Sequence, residues 1–242
     1  MIMQRDHRPY YIKKAFLKAR SLYVKHFLAP QFHSLGSGFT IMEPWNVEVF
    51  GGPVSLGEYA NIIATSECKV RFTIWSRSEE EGRIQVGNYC LVCPGVRISS
   101  ATEIVIQDNC MLANSVYITD SDWHDAYNRV SPIGKSNPVR IEQNVWVGDG
   151  AIVCKGVTIG ENSIIGARSV VVDSIPANTV AAGNPAKVVK HLDPNEKMTT
   201  RAHWFANPER LNQEIDQLDK ENLIDNTLLD WVRSMVFPRK GD

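Results

Sequence analysis

The chain has 242 residues, with 26 basic and 27 acidic side chains, a formal charge of −1 and 43 % apolar residues. At about 150 residues per domain, that is one to two domains. The charge balance excludes a protein run by bulk basic charge, as a nucleic-acid coat would be, and the apolar share excludes a disordered chain. No apolar run reaches the ~18 residues needed to span a bilayer. The N-terminus, MIMQRDHRPYYIKKAF, is charged where a signal peptide is apolar, so a cytoplasmic location is expected.

Residues 1–40 read as a basic helical segment. Ile12, Phe16, Ala19, Tyr23 and Phe27 recur at steps of three and four, which places them on one face of a helix. Residues 1–28 hold seven basic side chains and one acid. Two readings stand for this helix. It closes the open end of the structure that follows and protects unpaired strand edges, or its basic face meets anionic lipid as a peripheral contact at the inner membrane face.

From residue 41 to 190 helical periodicity gives way to a period of six. Ile141, Val147, Val153, Ile159, Ile165 and Val171 are spaced by six, and all are β-branched. Val86, Val92 and Ile98 form a second series, and Ile106, Leu112 and Ile118 a third. Leu56, Ile62, Cys68 and Ile74 form a fourth, with a cysteine in an apolar slot. A period of six suits neither a helix nor a coiled coil. It divides by two, so short strands satisfy it, and three strands with three corners make an 18-residue coil. Asn109, Asn144 and Asn162 fall three positions after an aliphatic and suit corners that need the left-handed backbone region. The five cysteines, Cys68, Cys90, Cys93, Cys110 and Cys154, are odd in number. The Cys90–Cys93 spacing lacks the second pair that a zinc site would use, so they read as small buried thiols.

Two stretches interrupt the period. The charged run from Ser76 to Arg83 reads as a solvated turn. The run TDSDWHDAYNRVSPIGKSNP, between Ile118 and Ile141, is a long loop of the kind that often carries function. It contains His124, the only histidine between residues 34 and 190. A neutral imidazole, with an ordinary pKa of about 6.5, can take a proton from a hydroxyl or amine at neutral pH. On the loop alone, His124 reads equally as an exposed loop histidine. Asp120, Asp122 and Asp125 crowd it, and the sequence does not choose among them.

The stretch VRIEQNVWVGDGAIVCKGVTIGENSIIGARSVVV, followed by AAGNPAKVVK, resembles the hexapeptide-repeat acyltransferases, and among them the bacterial sugar and xenobiotic O-acetyltransferases. The resemblance covers roughly residues 55–190. It implies a mainly β fold, a left-handed parallel β-helix with an N-terminal helix and C-terminal helices; the left hand comes from the resemblance alone. It also implies acyl transfer from coenzyme A to a hydroxyl or amine, with no prosthetic group, no metal, and acetyl-CoA or another acyl-CoA as co-substrate.

Residue by residue, the resemblance makes His124 the general base for direct attack on the thioester. Asn114 matches the asparagine that many relatives place before the loop, facing the acceptor; alone, it reads equally as a turn residue. Asp122, Trp123 and Tyr127, with Arg129, are candidates for shaping the acceptor pocket. On the donor side, Trp146 matches the tryptophan near the pantetheine arm. Asp149 falls where relatives often have serine, Ala167 matches a backbone contact, and Arg168 stands where glycine is frequent. Lys187 and Lys190 fall where basic residues meet the nucleotide phosphates, and alone they read as a solvated face. The family implies a homotrimer with each site between two coils.

Residues 191–242 read as two helices, the first capped by Asn207 with Pro208 in its first turn, the second ended by Pro238. Leu228, Leu229, Trp231, Val232, Met235 and Val236 give the second helix an apolar surface expected to pack on the coil or on a neighbouring chain. The function expected is O-acetylation of a hydroxyl on a sugar or related small acceptor, free or lipid-linked. N-acylation of an amino sugar and a non-catalytic scaffold remain alternatives. A metal-dependent activity of the same fold would need three histidine ligands, and nucleic acid has no support in the sequence.

Overall fold

The computed structural model describes residues 6–76, 82–193 and 195–239. Most of the charged interruption, residues 77–81, lies outside them. The chain forms two compact units, one from Val24 to His203 and one from the residues on either side.

The first unit is a left-handed parallel β-helix with three faces. Face A stacks Ser34–Leu35, Val54–Leu56, Arg83–Val86, Glu103–Ile106, Val139–Ile141 and Thr158–Ile159. Face B stacks Thr40–Met42, Asn61–Ile63, Leu91–Val92, Met111–Leu112, Trp146–Val147, Ile164–Ile165 and Thr179–Gly183, and Ala186–His191 then adds an antiparallel edge. Face C stacks Val47–Phe50, Val70–Ile74, Arg97–Ser100, Tyr117–Thr119, Ile152–Val153 and Val170–Val171.

The six-residue step has a direct physical cause. Ile141 pairs with Ile159 on face A, Val147 with Ile165 on face B, and Val153 with Val171 on face C, each eighteen residues apart. All six side chains are fully buried. Each inward aliphatic rests on its counterpart one coil away, so the core is three parallel ladders of methyl groups. Phe72 is the largest fully buried side chain, stacked on Ile98 and in edge contact with Phe32, ring centroids 5.9 Å apart. Phe72→Ala is expected to cost about 3–5 kcal/mol, read as a drop in the thermal midpoint with unchanged circular dichroism at low temperature.

The corner between faces A and B is a column of left-handed residues. Tyr59, Tyr89, Asn109, Asn144, Asn162 and Asn178 all have φ between 52° and 64°. The Asn144 amide donates to Asn162 Oδ1 and Asn162 to Asn178 Oδ1, both at 2.9 Å, while the Tyr59 and Tyr89 rings stack. Residues 195–203 run along this column. Arg201 donates to the Tyr89 carbonyl and to Asn61 Oδ1, and the Ala202 amide donates to Asn109 Oδ1. The Cys90 and Cys110 thiols are buried and donate to the carbonyls of Gln107 and Glu142.

Two expectations fail here. Cys68 does not fill an inward slot: it is half-buried in a corner closed by reciprocal Thr65–Cys68 backbone bonds, and Val70 and Phe72 point inward instead. That corner carries extra residues, which reset the register. The expected stripe of the first helix does not form either: no residue of α1 (Tyr10–Tyr23) is buried, and Phe27 is 57 % exposed. A π-helical turn at Val24–Leu28 breaks the four-residue step, and Val24 and Leu28 enter the coil's core together with Phe32. Residues 24–32 thus close the first end of the coil.

The second unit contains α1, α2 (Pro208–Asn222) and α3 (Leu228–Val236). Asn207 and Thr227 cap α2 and α3 by accepting from the Arg210 and Asp230 amides. Lys13 pairs with Asp219, and Lys14 with Asp216, both at 2.6 Å. Lys14, Lys220 and the Tyr10 hydroxyl hold the Asp216 carboxyl well below the usual carboxylate range. Two of the basic side chains that suggested lipid contact are therefore engaged by α2. On α3, Leu229, Met235 and Val236 remain exposed. Among the described residues, no helix is long and apolar enough to cross a membrane.

Candidate active site

The long loop leaves face C at Thr119 and returns to face A at Val139. Its base is fixed by Asp120, which is fully buried. The Asp120 carboxylate accepts from Ser100 Oγ (2.7 Å), the Ala101 amide (2.7 Å), the Thr102 amide (2.8 Å) and Thr102 Oγ1 (3.1 Å). Its backbone carbonyl accepts from the Asn137 amide on the returning strand. One carboxylate thus ties the loop to the corner of the coil below.

Above this base the two arms of the loop pair antiparallel. Ser121 bridges Ser136, and the Asp122 amide donates to the Lys135 carbonyl at 2.9 Å. Gly134 lies where the arms cross: a Cβ there would sit 2.6 Å from the carbonyl oxygens of both Asp122 and His124. The glycine lets the chain pass directly beneath His124. Asp122 takes an ion pair with Lys155 at 2.6 Å. Asp125 accepts from the Asn128 and Tyr127 amides, which hold its carboxyl below the ordinary range. The three aspartates that the sequence could not tell apart thus have three separate positions, one buried in the base, one in an ion pair and one in the tip turn.

The His124 side chain is exposed, and among the described residues its ring makes no hydrogen bond. Trp123, half-buried, donates from Nε1 to the Tyr117 hydroxyl at 3.1 Å, and the Arg97 guanidinium lies 4.4 Å over the Tyr117 ring. Tyr127 stands fully exposed at the loop tip, away from Trp123's partners.

The donor-side candidates gather elsewhere on the coil, and Asn114, expected on the acceptor side, lies in the same column as two of them. The Gly150 amide donates to the Asn114 carbonyl, and the Arg168 amide to the Asp149 carbonyl. Asn114, Asp149 and Ala167 therefore form one exposed column at the corner between faces B and C. Arg168 has a φ of 57°, which accounts for the glycine frequent at that place. Gly148 is closed in beneath this column: a Cβ would meet the Ile165 carbonyl oxygen at 2.5 Å and the Ala167 amide at 2.7 Å. Trp146 projects from face B, 44 % exposed, between Met111 and Ile164. Lys187 and Lys190 are exposed on the terminal hairpin, with Lys187 3.1 Å from Asp173.

Within one chain these groups do not meet at one point. Asp149 and Lys155 lie six residues apart across face C, and Lys155 marks the loop side through Asp122. Only Ile152–Val153 of that stretch is strand, between corners at Gly150 and Gly156, so about 3.3 Å per residue sets roughly 20 Å as the upper bound of the separation. Trp75 is a residue that sequence reasoning passed over. It follows the face C strand Val70–Ile74 and lines a cleft with Trp123. Its only signal was its place beside the charged interruption.

Residues 138–173 match the bacterial transferase hexapeptide family model, which describes six repeats. The galactoside O-acetyltransferase of Escherichia coli K12 is 38 % identical over 96 residues, covering 39 % of this chain and 47 % of that protein. An E. coli K12 protein that carries the name of a lipopolysaccharide biosynthesis O-acetyltransferase is 34 % identical over 130 residues, covering 49 % and 63 %. The chain spans about half the length of the curated relatives it matches. Among solved structures, a variant of AntD, an N-acyltransferase from Bacillus cereus in complex with dTDP and coenzyme A, aligns with a TM-score of 0.51 at 16 % identity. That alignment covers 80 % of this chain and 96 % of that one, a likeness of fold. Residues 138–173 thus carry the hexapeptide-repeat signature, and the curated relatives that the chain resembles are named acetyltransferases.

Proposed function

We propose that this protein is a coenzyme A-dependent acyltransferase that O-acetylates a hydroxyl on a sugar or related small acceptor, with His124 as general base. The observation that carries the reading is the exposed His124 ring, held on a loop whose base is a buried, fully bonded aspartate. The imidazole takes the hydroxyl proton as the oxygen attacks the thioester carbonyl. The tetrahedral intermediate collapses, the C–S bond breaks, and the imidazolium returns the proton to the departing thiolate. Oxygen gains the acetyl group and sulfur gains the proton, so no acyl-enzyme and no further reactant is needed.

The donor arm lies along Trp146, Asp149 and Ala167 in this reading, with Lys187 and Lys190 facing the nucleotide phosphates. The placement of that corner across face C from the loop favours a homotrimer, in which the loop of one subunit meets the corner column of its neighbour. Sedimentation should then give three times the 27.2 kDa chain mass.

The test is a thermal-shift titration with coenzyme A and acetyl-CoA on the wild type and His124→Ala. A ligand at 100 times its Kd, binding only the folded state, stabilises by about 2.7 kcal/mol. Both proteins are expected to shift. No shift in either at saturating ligand would remove the coenzyme A reading.

A further inference from the structure

One corner of the coil grips both arms of the loop that carries His124. The face C strand Ile152–Val153 and the face A strand Thr158–Ile159 are joined through Lys155 and Gly156. Lys155 Nζ pairs with the Asp122 carboxylate of the outgoing arm at 2.6 Å. The Gly156 amide donates to the Asn137 carbonyl of the returning arm at 3.0 Å. Gly156 has a φ of 73°, and a Cβ there would lie 3.2 Å from the Asn137 side chain, so this corner fits closely against that arm.

The ion pair has little to do for overall stability. The Lys155 side chain is 27 % and the Asp122 side chain 49 % exposed, and pairs so open to water add little to folding. The backbone of Asp122 is fixed without it. Its amide donates to the Lys135 carbonyl at 2.9 Å, and its carbonyl accepts from the Gly134 amide at 2.6 Å. What Lys155 decides is where the Asp122 carboxylate points and what net charge it presents. Burial pushes the Cys154 thiol up, Lys155 opposes that shift and Asp122 adds to it, so the two opposed fields reach the groups around the pair.

His124 follows Asp122 by two residues, which places it within about 7 Å along the chain. That is inside the Debye length of roughly 10 Å at 0.1 M salt. The other charged groups of the loop are Asp125, Arg129 and Lys135. Asp125 is turned into the tip by the Tyr127 and Asn128 amides, Arg129 donates to the Ala126 carbonyl, and Lys135 sits on the returning arm, where its charge favours the ionised Asp125. A bare carboxylate near an imidazole favours the protonated ring, and a bare ammonium disfavours it. Paired, Asp122 and Lys155 largely cancel. An unpaired Asp122 would keep the ring protonated to higher pH, and a protonated ring cannot act as a base.

We infer that Lys155 is a positioning residue for His124: it ties the outgoing arm of the loop to the coil and neutralises Asp122, so that the imidazole loses its proton at a lower pH than it would beside a free carboxylate. The inference rests on the acyl-transfer reading only in calling His124 the base. It gives Asp122 this role in place of contact with the acceptor, because its carboxylate is engaged by Lys155.

Nuclear magnetic resonance of the full chain with carbon-labelled histidine tests this. The sequence holds six histidines, and His124→Gln identifies the signal to follow. Its titration midpoint is read at about 10 mM salt, where screening is weak. Lys155→Met is expected to raise the midpoint by about 0.3–0.5 of a pH unit and Asp122→Asn to lower it by a similar amount, the effect of one charge roughly 7–10 Å away across water. The double variant and Lys155→Arg, which keeps the cation, should both stay close to the wild type. At about 1 M salt the differences should vanish. Amide exchange at residues 121–124 should quicken about threefold in Lys155→Met and stay native in Lys155→Arg. The thermal midpoint of each variant reports that it is folded. The inference is overturned if the two single variants move the titration in the same direction, if neither moves it, or if loop exchange is unchanged in Lys155→Met. The coenzyme A thermal shift on the same samples tests the acyl-transfer reading separately. Opposed titration shifts without any coenzyme A shift would keep the role of Lys155 and remove that reading; a coenzyme A shift with unmoved titrations would do the reverse.

Discussion

His124→Ala is expected to lower the turnover of acetyl transfer by about 10²–10⁴-fold, the range that a positioned general base supplies. Acetyl-CoA affinity should stay within twofold of the wild type, because the donor candidates lie across face C from the loop. The split between turnover and donor binding is the informative quantity. A residue that merely stiffened the loop would change stability as well, and the exposed His124 ring makes no hydrogen bond among the described residues that its loss could break. Steady-state kinetics with a thiol-trapping readout of released coenzyme A would measure both. Unchanged turnover in the alanine variant would remove His124 as the base and favour a binding scaffold.

The coil was readable in the sequence wherever the inward position was aliphatic at a constant step. From Ile141 to Val171 nothing is inserted between corners, so each strand, each corner and each buried side chain follows from counting by six. Counting failed at Cys68, where a lengthened corner reset the register. It also failed in the first helix, where one π-helical turn moved burial from Phe27 to Val24 and Leu28. Both are changes of one or two residues in spacing, which composition does not record. The candidate site was legible to a different degree. His124 stood out because the period stopped around it. The roles of Asp120, Asp122 and Asp125 did not, because a buried acceptor, an ion-pair member and a turn residue are the same letter until their partners are known. Trp75 and Trp123 come to line one cleft only after the coils stack and the loop folds back, so that juxtaposition has no local trace in the sequence.

The second large effect is expected at Asp120. Asp120→Ala would leave the buried Ala101 amide, the half-buried Thr102 amide and the Thr102 hydroxyl without their acceptor, while the Ser100 hydroxyl keeps the Arg83 carbonyl. An orphaned buried donor costs about 1–3 kcal/mol, so the Ala101 amide alone predicts a loss of that size in chemical denaturation, and the half-buried Thr102 amide adds to it. Asp120→Asn keeps one carbonyl oxygen but turns an amide group toward donors, and should fall between the alanine variant and the wild type. The damage should be uneven. The Asp120 backbone carbonyl still accepts from Asn137 in both variants, so the loop stays attached at one point while its other anchor is gone. Amide exchange should therefore quicken first at residues 101, 102 and 121–124, before the ladders of the core open. Acetyl transfer should drop at temperatures where both variants remain folded, because His124 lies four residues beyond the lost anchor. A stable Asp120→Ala with native exchange in the loop would mean that the antiparallel pairing of Ser121–Ser136 and Asp122–Lys135 holds His124 by itself. In that case Gly134→Ala, which forces a methyl group against the Asp122 and His124 carbonyls, becomes the substitution that should displace the base.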